Sequence, residues 1–407
     1  LSLERFKEHV EKIASTILKV GVSDCLLIHH DDADGVVSAA LMKLALETRG
    51  FRVKTICVEK VLPEIIEKVH SVSKGFVMYV DLGSPHLVKI HEVSRRIGRD
   101  NLVVVVDHHD FPEECRVAEL GHVLHLNPEL FEFSGEKDAS ASIVTYYLAR
   151  AISSEVSAFS YLPVVGAAEI TGNLWLSALG REILRECFNR RTVVVRKYRG
   201  REDYFIDFHG YRDSYRSLSA KLTTLAAIGY YQRGPEMAID ICIHGLHDLA
   251  LDMVEKLQKL RDTKFREAQE LVEKELRVLR SVQWFHVGNL FDGLGVKVIG
   301  LFTSYLRYRR KDLIKEDKYI AGMMYMRREV PGLGELEHDY TKVSFRVTNL
   351  LEKLVSEGKA KPLSEVIRLC SEFGGVGDGH AFAASGVILR GREEEFISRV
   401  DDALLSR

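Results

Sequence analysis

The chain has 407 residues with 57 Lys and Arg against 59 Asp and Glu, a formal net charge of −2, and 46% hydrophobic residues. That length exceeds what one core usually holds, so two or three domains are expected, and the balanced charge gives no global signature of nucleic-acid binding. No apolar stretch approaches 18 residues and no signal-peptide pattern is present, which excludes a transmembrane helix and sets the expectation of a cytoplasmic chain with no membrane partner.

The first informative segment is CLLIHHDDADG, residues 25 to 35: an apolar run that releases His29, His30, Asp31, Asp32 and Asp34 into a turn closed by Gly35. A helical pattern, VVSAALMKLALETRG, follows it. FVMYVDLGS, residues 76 to 84, is a second apolar run ending in Asp81 and a Gly-Ser turn, followed by the helical PHLVKIHEVSRRIG. A third, LVVVVDHHDF at 102 to 111, delivers Asp107, His108 and His109. Short apolar runs bounded by polar residues read as buried strands. Strand, acidic turn and helix repeated at this pitch predict an α/β fold with a parallel sheet, whose strand ends share one edge.

Four or more carboxylates converging on that edge oppose one another's ionisation, and divalent cations remove the conflict. Mixed imidazole and carboxylate donors suit Mn, Fe or Zn. Two such ions about 3.5–4 Å apart form the usual clamp for hydrolysis at phosphorus.

These three segments resemble the DHH phosphoesterases, a family named for the triplet that stands here as Asp107-His108-His109. The resemblance implies two divalent cations, Mn²⁺ with Mg²⁺ as the alternative. It implies His30, Asp32, Asp34, Asp81, Asp107 and His108 as metal ligands, with Asp81 bridging, and His109 and Asp107 as catalytic groups, His109 facing the scissile phosphate. LNPELFEFSGEKDASASIVTYYLA, residues 126 to 149, is similar to the family's approach to its fourth motif. There the chain departs from the pattern. Where the family has a ligating aspartate, VVGAAEITGNLW offers Asn173, favoured by position, or Glu169. An asparagine supplies a neutral carbonyl oxygen and binds a cation more weakly.

Between Arg190 and Asp213, VVVRKYRG and YFIDFHG flank RED as a hairpin, an insertion in a catalytic domain expected over 1–246. RRTVVVRKYRGR at 190 to 201 and RYRRK at 307 to 311 concentrate positive charge and tyrosines, a combination that suits single strands. AAIGYYQRGPEMAID, residues 226 to 240, is similar to a stretch in archaeal RecJ-type members. Residues 247 to 279 carry leucines at spacings of three to five, an amphipathic helix of roughly 45–50 Å if unbroken. It is expected to connect the domains over 247–282.

A smaller α/β domain is expected over 283–407, with strand-like text at 284 to 302, in YIAGMMYMRR and in KVSFRVTN. FGGVGDGHAFAASG, residues 373 to 386, resembles the signature of the second domain that accompanies the catalytic one in this family, and KVSFRVTN its Ser-x-Arg element. The resemblance implies substrate binding by Arg346, Gly374, Gly375 and His380, and runs from about Cys25 to Gly386.

Six scattered cysteines include no CxxC pair, which argues against a zinc ribbon and for buried reduced thiols. Leu1 in place of methionine suggests a trimmed start or an unusual initiation codon. The expected activity is a Mn²⁺-dependent exonuclease on single-stranded DNA or RNA in repair or replication, with a helicase or replication-complex protein as a further partner. The alternatives are a phosphodiesterase of oligonucleotides or cyclic dinucleotides, and a weakly active or inactive scaffold of the same fold.

Overall fold

The computed structural model describes residues 2–97, 101–169, 174, 176–198 and 201–405. The chain packs as two compact units, one formed by Leu1–Ala226 with Gln232–Val254 and the other by Ala227–Tyr231 with Glu255–Arg407.

In the first unit α1 (Ser2–Leu18) precedes β1 (Asp24–His29), α2 (Ala33–Glu47), β2 (Arg52–Cys57), α3 (Pro63–Val72), β3 (Phe76–Val80), α4 (Leu87–Arg96) and β4 (Val103–Val106). A short β5 (Glu119–Leu120) and β6 (Val123–Leu126) complete the sheet, and α5 (Ala141–Ile152), α6 (Leu162–Gly166) and α7 (Ala178–Arg190) follow. The sheet order is β2-β1-β3-β4-β6-β5, parallel throughout except for β5 on the edge. β3, β4 and β6 are buried at every position, so helices must cover both faces. α3 packs on α4, while α2 packs on α5 and α6. The sequence of α2, ADGVVSAALMKLALE, is apolar on nearly all sides, as suits a helix at the centre of a core.

The order reverses at β1 and β3, since β2 lies on one side of β1 and β3 on the other. In open α/β sheets this switch point opens a crevice beyond the carboxyl ends of the strands. The HHDD turn after β1 and Asp81 after β3 stand on the two sides of it.

The segment expected as a hairpin is a three-stranded antiparallel sheet of β7 (Val193–Tyr198), β8 (Arg201–Phe208) and β9 (Tyr211–Ser214), followed by α8 (Tyr215–Thr223) and α9 (Gly234–His244). The third strand reads poorly in sequence, because YRDS carries one apolar residue. From the first unit α10 (Asp248–Glu275) leads into the second. The helix stops there, and Arg277–Val278 pairs as β10 with β11 (Val282–His286).

The second unit continues with α11 (Lys297–Arg309), β12 (Tyr319–Tyr325), a small ribbon of β13 (Glu329–Val330) and β14 (Gly334–Glu335), β15 (Tyr340–Arg346), α12 (Asn349–Ser356), α13 (Leu363–Val366), β16 (Val376–Gly379), β17 (Ala383–Leu389) and α14 (Glu393–Leu405). Its sheet, β10-β11-β12-β15-β17-β16, is antiparallel except at β11 and β12. Residues 284 to 302 do not form strand throughout, because Val298, Ile299, Phe302 and Leu306 recur at helical spacing and are wholly buried on α11. Asp401 ties α14 to the sheet by accepting from the Ser281 and Val282 amides at 2.6 and 3.1 Å.

All six cysteines are buried and free. No helix among the described residues is long and apolar enough to cross a membrane.

Two core histidines make the fold sensitive to mild acid. Burial lowers both His70, whose Nε2 lies 3.2 Å from the Tyr79 hydroxyl, and His125 to about 4 from an ordinary 6.5. In this window the unfolded chain binds the proton and the folded chain does not, so stability falls as pH drops from about 6.5 to about 4. Each histidine contributes a slope of roughly 1.4 kcal/mol per pH unit. Urea melts of wild type and His70→Gln across this range should diverge, with the variant losing less stability; parallel curves would contradict the assignment.

Candidate metal centre

Each strand end supplies its groups by a local device. After β1, Asp32 caps α2, its Oδ1 accepting from the Gly35 amide at 3.0 Å in extended backbone. Its Oδ2 lies 2.9 Å from His30 Nδ1, and His30 Nε2 lies 3.2 Å from Asp31 Oδ1. Gly35 permits the turn, since a Cβ there would press 2.7 Å from His30 O. Asp34, on the first turn of α2, accepts from the Ala141 and Ser142 amides at 2.8 and 2.9 Å, binding the N-terminus of α5. This is the favourable end of the helix dipole for a carboxylate.

Asp81, directly after β3, is buried and holds φ at +62°, a left-handed conformation costly for a side-chain-bearing residue. Neither of its oxygens accepts a hydrogen bond within normal geometry among the described residues. His30 Nδ1 stands 3.7 Å from Oδ2 and His108 Nε2 3.5 Å from Oδ1. An orphaned, buried carboxylate between imidazoles is costly unless a cation completes it.

After β4 the DHH triplet divides its labour. Asp107 Oδ1 accepts from the amide of His108 at 2.7 Å, from that of His109 at 3.3 Å and from His109 Nδ1 at 2.8 Å. Its Oδ2 accepts from the Ser84 amide at 2.8 Å. His108 Nδ1 donates to Gly135 O at 2.7 Å, which leaves Nε2 as the nitrogen presented toward Asp81 and, at 3.8 Å, Asp34.

Two sets of ligand atoms, each gathered within 4.8 Å, result: His30, Asp32 and Asp81, and Asp81, His108 and His109. The donors are nitrogen and oxygen, the shared residue is the orphaned Asp81, and the pair of sets fits two divalent cations. Of the expected ligands, Asp34 lies beside His108 and outside both sets, while Asp107 lies beneath them with its oxygens occupied by four protein donors. Its geometry is that of a group that positions His109.

Charge follows the same division. Burial, then the charges of Asp32 and Asp34, push the Asp81 carboxyl well above the usual range. Burial likewise raises Asp34, against His108 and Ser142. Burial would raise Asp107 too, but His109, His108 and the Ser84 amide outweigh it and hold Asp107 well below the carboxylate range. His108 is raised, the pull of Asp34 and Asp107 overcoming its burial.

A supporting layer escaped the sequence reading. Asn127, after β6, donates through Nδ2 to Ser84 Oγ at 2.9 Å and to His109 O at 3.1 Å. Ser84 Oγ lies 2.8 Å from His125 Nε2, and His125 Nδ1 lies 2.9 Å from Val117 O. The available signal was VLHLN, one more apolar run releasing a polar residue on the same edge.

Asn173 lies outside the described residues; Glu169 ends a short 3-10 turn, Ala167–Glu169. In the second unit Arg346 donates to Ser304 Oγ, Ser344 Oγ and Phe345 O at 2.8, 3.1 and 2.8 Å. It pairs in register with Ala383, whose carbonyl accepts from the His380 amide, so Arg346 and His380 share one sheet end. Gly374 and Gly375 precede β16 at the opposite end. A Cβ on Gly375 would overlap Val387 O, and Gly374 has φ of +73°, so packing and turn geometry already require both glycines.

Fold and site together define a metal-dependent phosphoesterase. Residues 24–165 match the DHH family, N-terminal domain. A protein of Methanocaldococcus jannaschii without assigned function is 24% identical over 445 aligned positions, covering 99% of this chain and 98% of that protein. Among solved structures, a DHH-domain member of the s1p family of ribosomal proteins superposes at a TM-score of 0.65 with 16% identity, covering 100% of this chain and 92% of that one. RecJ from Thermus thermophilus, solved with Mn²⁺, gives 0.62 and 16% over 98% of this chain and 54% of its own. Both structural likenesses establish a shared fold.

Asp81 and Asp107 should respond oppositely to loss of charge. In metal-free buffer Asp81→Asn, which tolerates the left-handed backbone, should be at least as stable as wild type and should lose the rise in Tm that Mn²⁺ gives wild type. Asp107→Asn replaces acceptors with an amide donor and should cost roughly 2–4 kcal/mol with or without metal. Equal destabilisation of both variants without metal would contradict the division of roles.

Proposed function

We propose that this protein is a Mn²⁺-dependent phosphodiesterase that removes nucleotides from an end of single-stranded DNA or RNA. The observation that carries the reading is the pair of His and Asp sets sharing Asp81 at the switch point of the sheet. His30 and Asp32 would hold one ion, His108 and His109 the other, and Asp81 both. Ions bound there supply Lewis-acid polarisation of phosphoryl oxygens and lower the pKa of a bound water.

The chain's own residues prepare that chemistry. Gly135 O and Asp107 set the tautomers of His108 and His109, each through Nδ1, so both Nε2 atoms are aimed by neighbours outside the sets. Ser84 and Asn127 fix the backbone that carries them. The likeness to RecJ over 98% of the chain supports a nucleic-acid substrate, as does an arginine anchored at one end of the second sheet, where Arg346 holds a guanidinium against two serine hydroxyls.

End-labelled DNA and RNA strands of about 20 nucleotides, offered with Mn²⁺, Mg²⁺ or chelator, test the proposal. Stepwise release of mononucleotides from single strands with Mn²⁺ is expected, with Asp81→Asn slower by about a hundredfold or more. Cleavage of dinucleotides or cyclic dinucleotides with longer strands left intact would replace this reading by a small-substrate phosphodiesterase.

A further inference from the structure

The three-stranded sheet of β7, β8 and β9 takes no part in the metal centre. Its two faces differ along β8, while on β7 Val195, opposite Tyr204 on the inner row, is itself 37% exposed. Val193, Tyr204, Ile206 and Phe208 are buried, and β7 packs on α7 while β8 and β9 pack on α8. The strand register then sends the alternate residues outward: Val194 opposite Phe205, Phe205 opposite Ser214, Arg196 opposite Asp203, and Asp207 opposite Arg212. Val194 on this face is 57% exposed.

At the centre of this outward face the guanidinium of Arg196 lies 4.4 Å from the centroid of the half-buried Phe205 ring. Arg216 reaches the same row, 3.7 Å from Asp203, and its guanidinium stands 4.8 Å from the Tyr215 ring. In sequence, residues 190–216 hold eight Lys and Arg against four Asp and Glu; of these, Arg196, Arg212 and Arg216 lie on or beside the outward row, with Asp203 and Asp207 facing them. Flat guanidinium and phenyl surfaces, a neighbouring aliphatic side chain and excess positive charge are the components that stack bases and follow a phosphate backbone.

We propose that the outward face of this sheet, centred on Phe205, Arg196 and Val194, binds single-stranded nucleic acid as an exosite. It rests on the phosphodiesterase reading only for its biological use, since binding here needs neither metal nor cleavage. The strand segment held on the face is distinct from the end that enters the metal centre. The positive charge of the segment together with the arginine stacked on the outward Phe205 ring favours a nucleic acid over an acidic protein segment, which would be held by the charge alone.

The test is anisotropy of fluorescent oligo-dT and oligo-rU of about 20 nucleotides with the full chain in chelator, where cleavage cannot interfere. Phe205→Ala should weaken binding roughly tenfold, and Arg196→Glu, a change at an exposed side chain, should weaken it at least as much and reduce the salt dependence of binding by about one phosphate contact. Both variants should hydrolyse bis-p-nitrophenyl phosphate with Mn²⁺ within about twofold of wild type, which also reports that they fold. Wild-type affinity retained in both variants would overturn the exosite, as would absence of any binding by wild type. Loss of binding in the variants of a chain that never cleaves nucleic acid would keep the exosite and reject the exonuclease.

Discussion

A single buried carboxylate sets the terms for the rest of the catalytic unit. Asp81 ends β3 in a left-handed conformation, points its oxygens at His30 and His108, and accepts no ordinary hydrogen bond from the described residues. Every one of these features raises the energy of the metal-free protein. They make sense together if cations lie on both sides of Asp81, because a shared ligand must keep both oxygens uncommitted and sit between two donor sets. The sheet order supplies the place, since only at the β1–β3 reversal do two strand ends diverge enough to leave a crevice between their loops.

Beneath that carboxylate the supporting groups are hydrogen-bonded to one another. Asp107 accepts from four donors, Asp34 pins two amides of α5, and Asn127, Ser84 and His125 form a chain of hydrogen bonds beneath the DHH turn. Aspartates of the same motifs thus differ in geometry: the oxygens of Asp81 accept no ordinary hydrogen bond from the described residues, while those of Asp34 and Asp107 accept from backbone amides. Rigid support of this kind keeps ligand nitrogens in register without cations and spares the site a reorganisation when they bind. It also explains how three short loops, each on a different strand, can cooperate.

Much of this was legible in the sequence. Three apolar runs ending in HHDDADG, VDLGS and DHH announced a parallel sheet with a polar edge, and the sheet is there, with its strand ends aligned. The roles within the edge were less legible. A motif gives residue types, whereas the distinction between Asp81 and Asp107 depends on which carboxylate oxygens meet donors, and for Asp107 one donor is the Ser84 amide, 23 positions away. Asn127 and His125 were hidden because their partners come from other strands. In the second unit, 284 to 302 reads as strand until Leu306 is added to its period, and the glycines before β16 are also needed for packing, Gly375 against the Val387 carbonyl and Gly374 against Leu389. The sheet of 193–214 shows the reverse case: its basic and aromatic composition was plain, but only the register separates Phe205 and Val194, which face outward, from Tyr204 and Ile206, which do not.

The central claim is that one carboxylate, Asp81, serves two cations at once. Mn²⁺ titration of the full chain followed by electron paramagnetic resonance measures this directly. The account predicts two bound ions whose signals are magnetically coupled, with coupling abolished in Asp81→Asn and retained, at weaker affinity, in Asp107→Asn. Two uncoupled ions, or a coupled pair that survives Asp81→Asn, would contradict it.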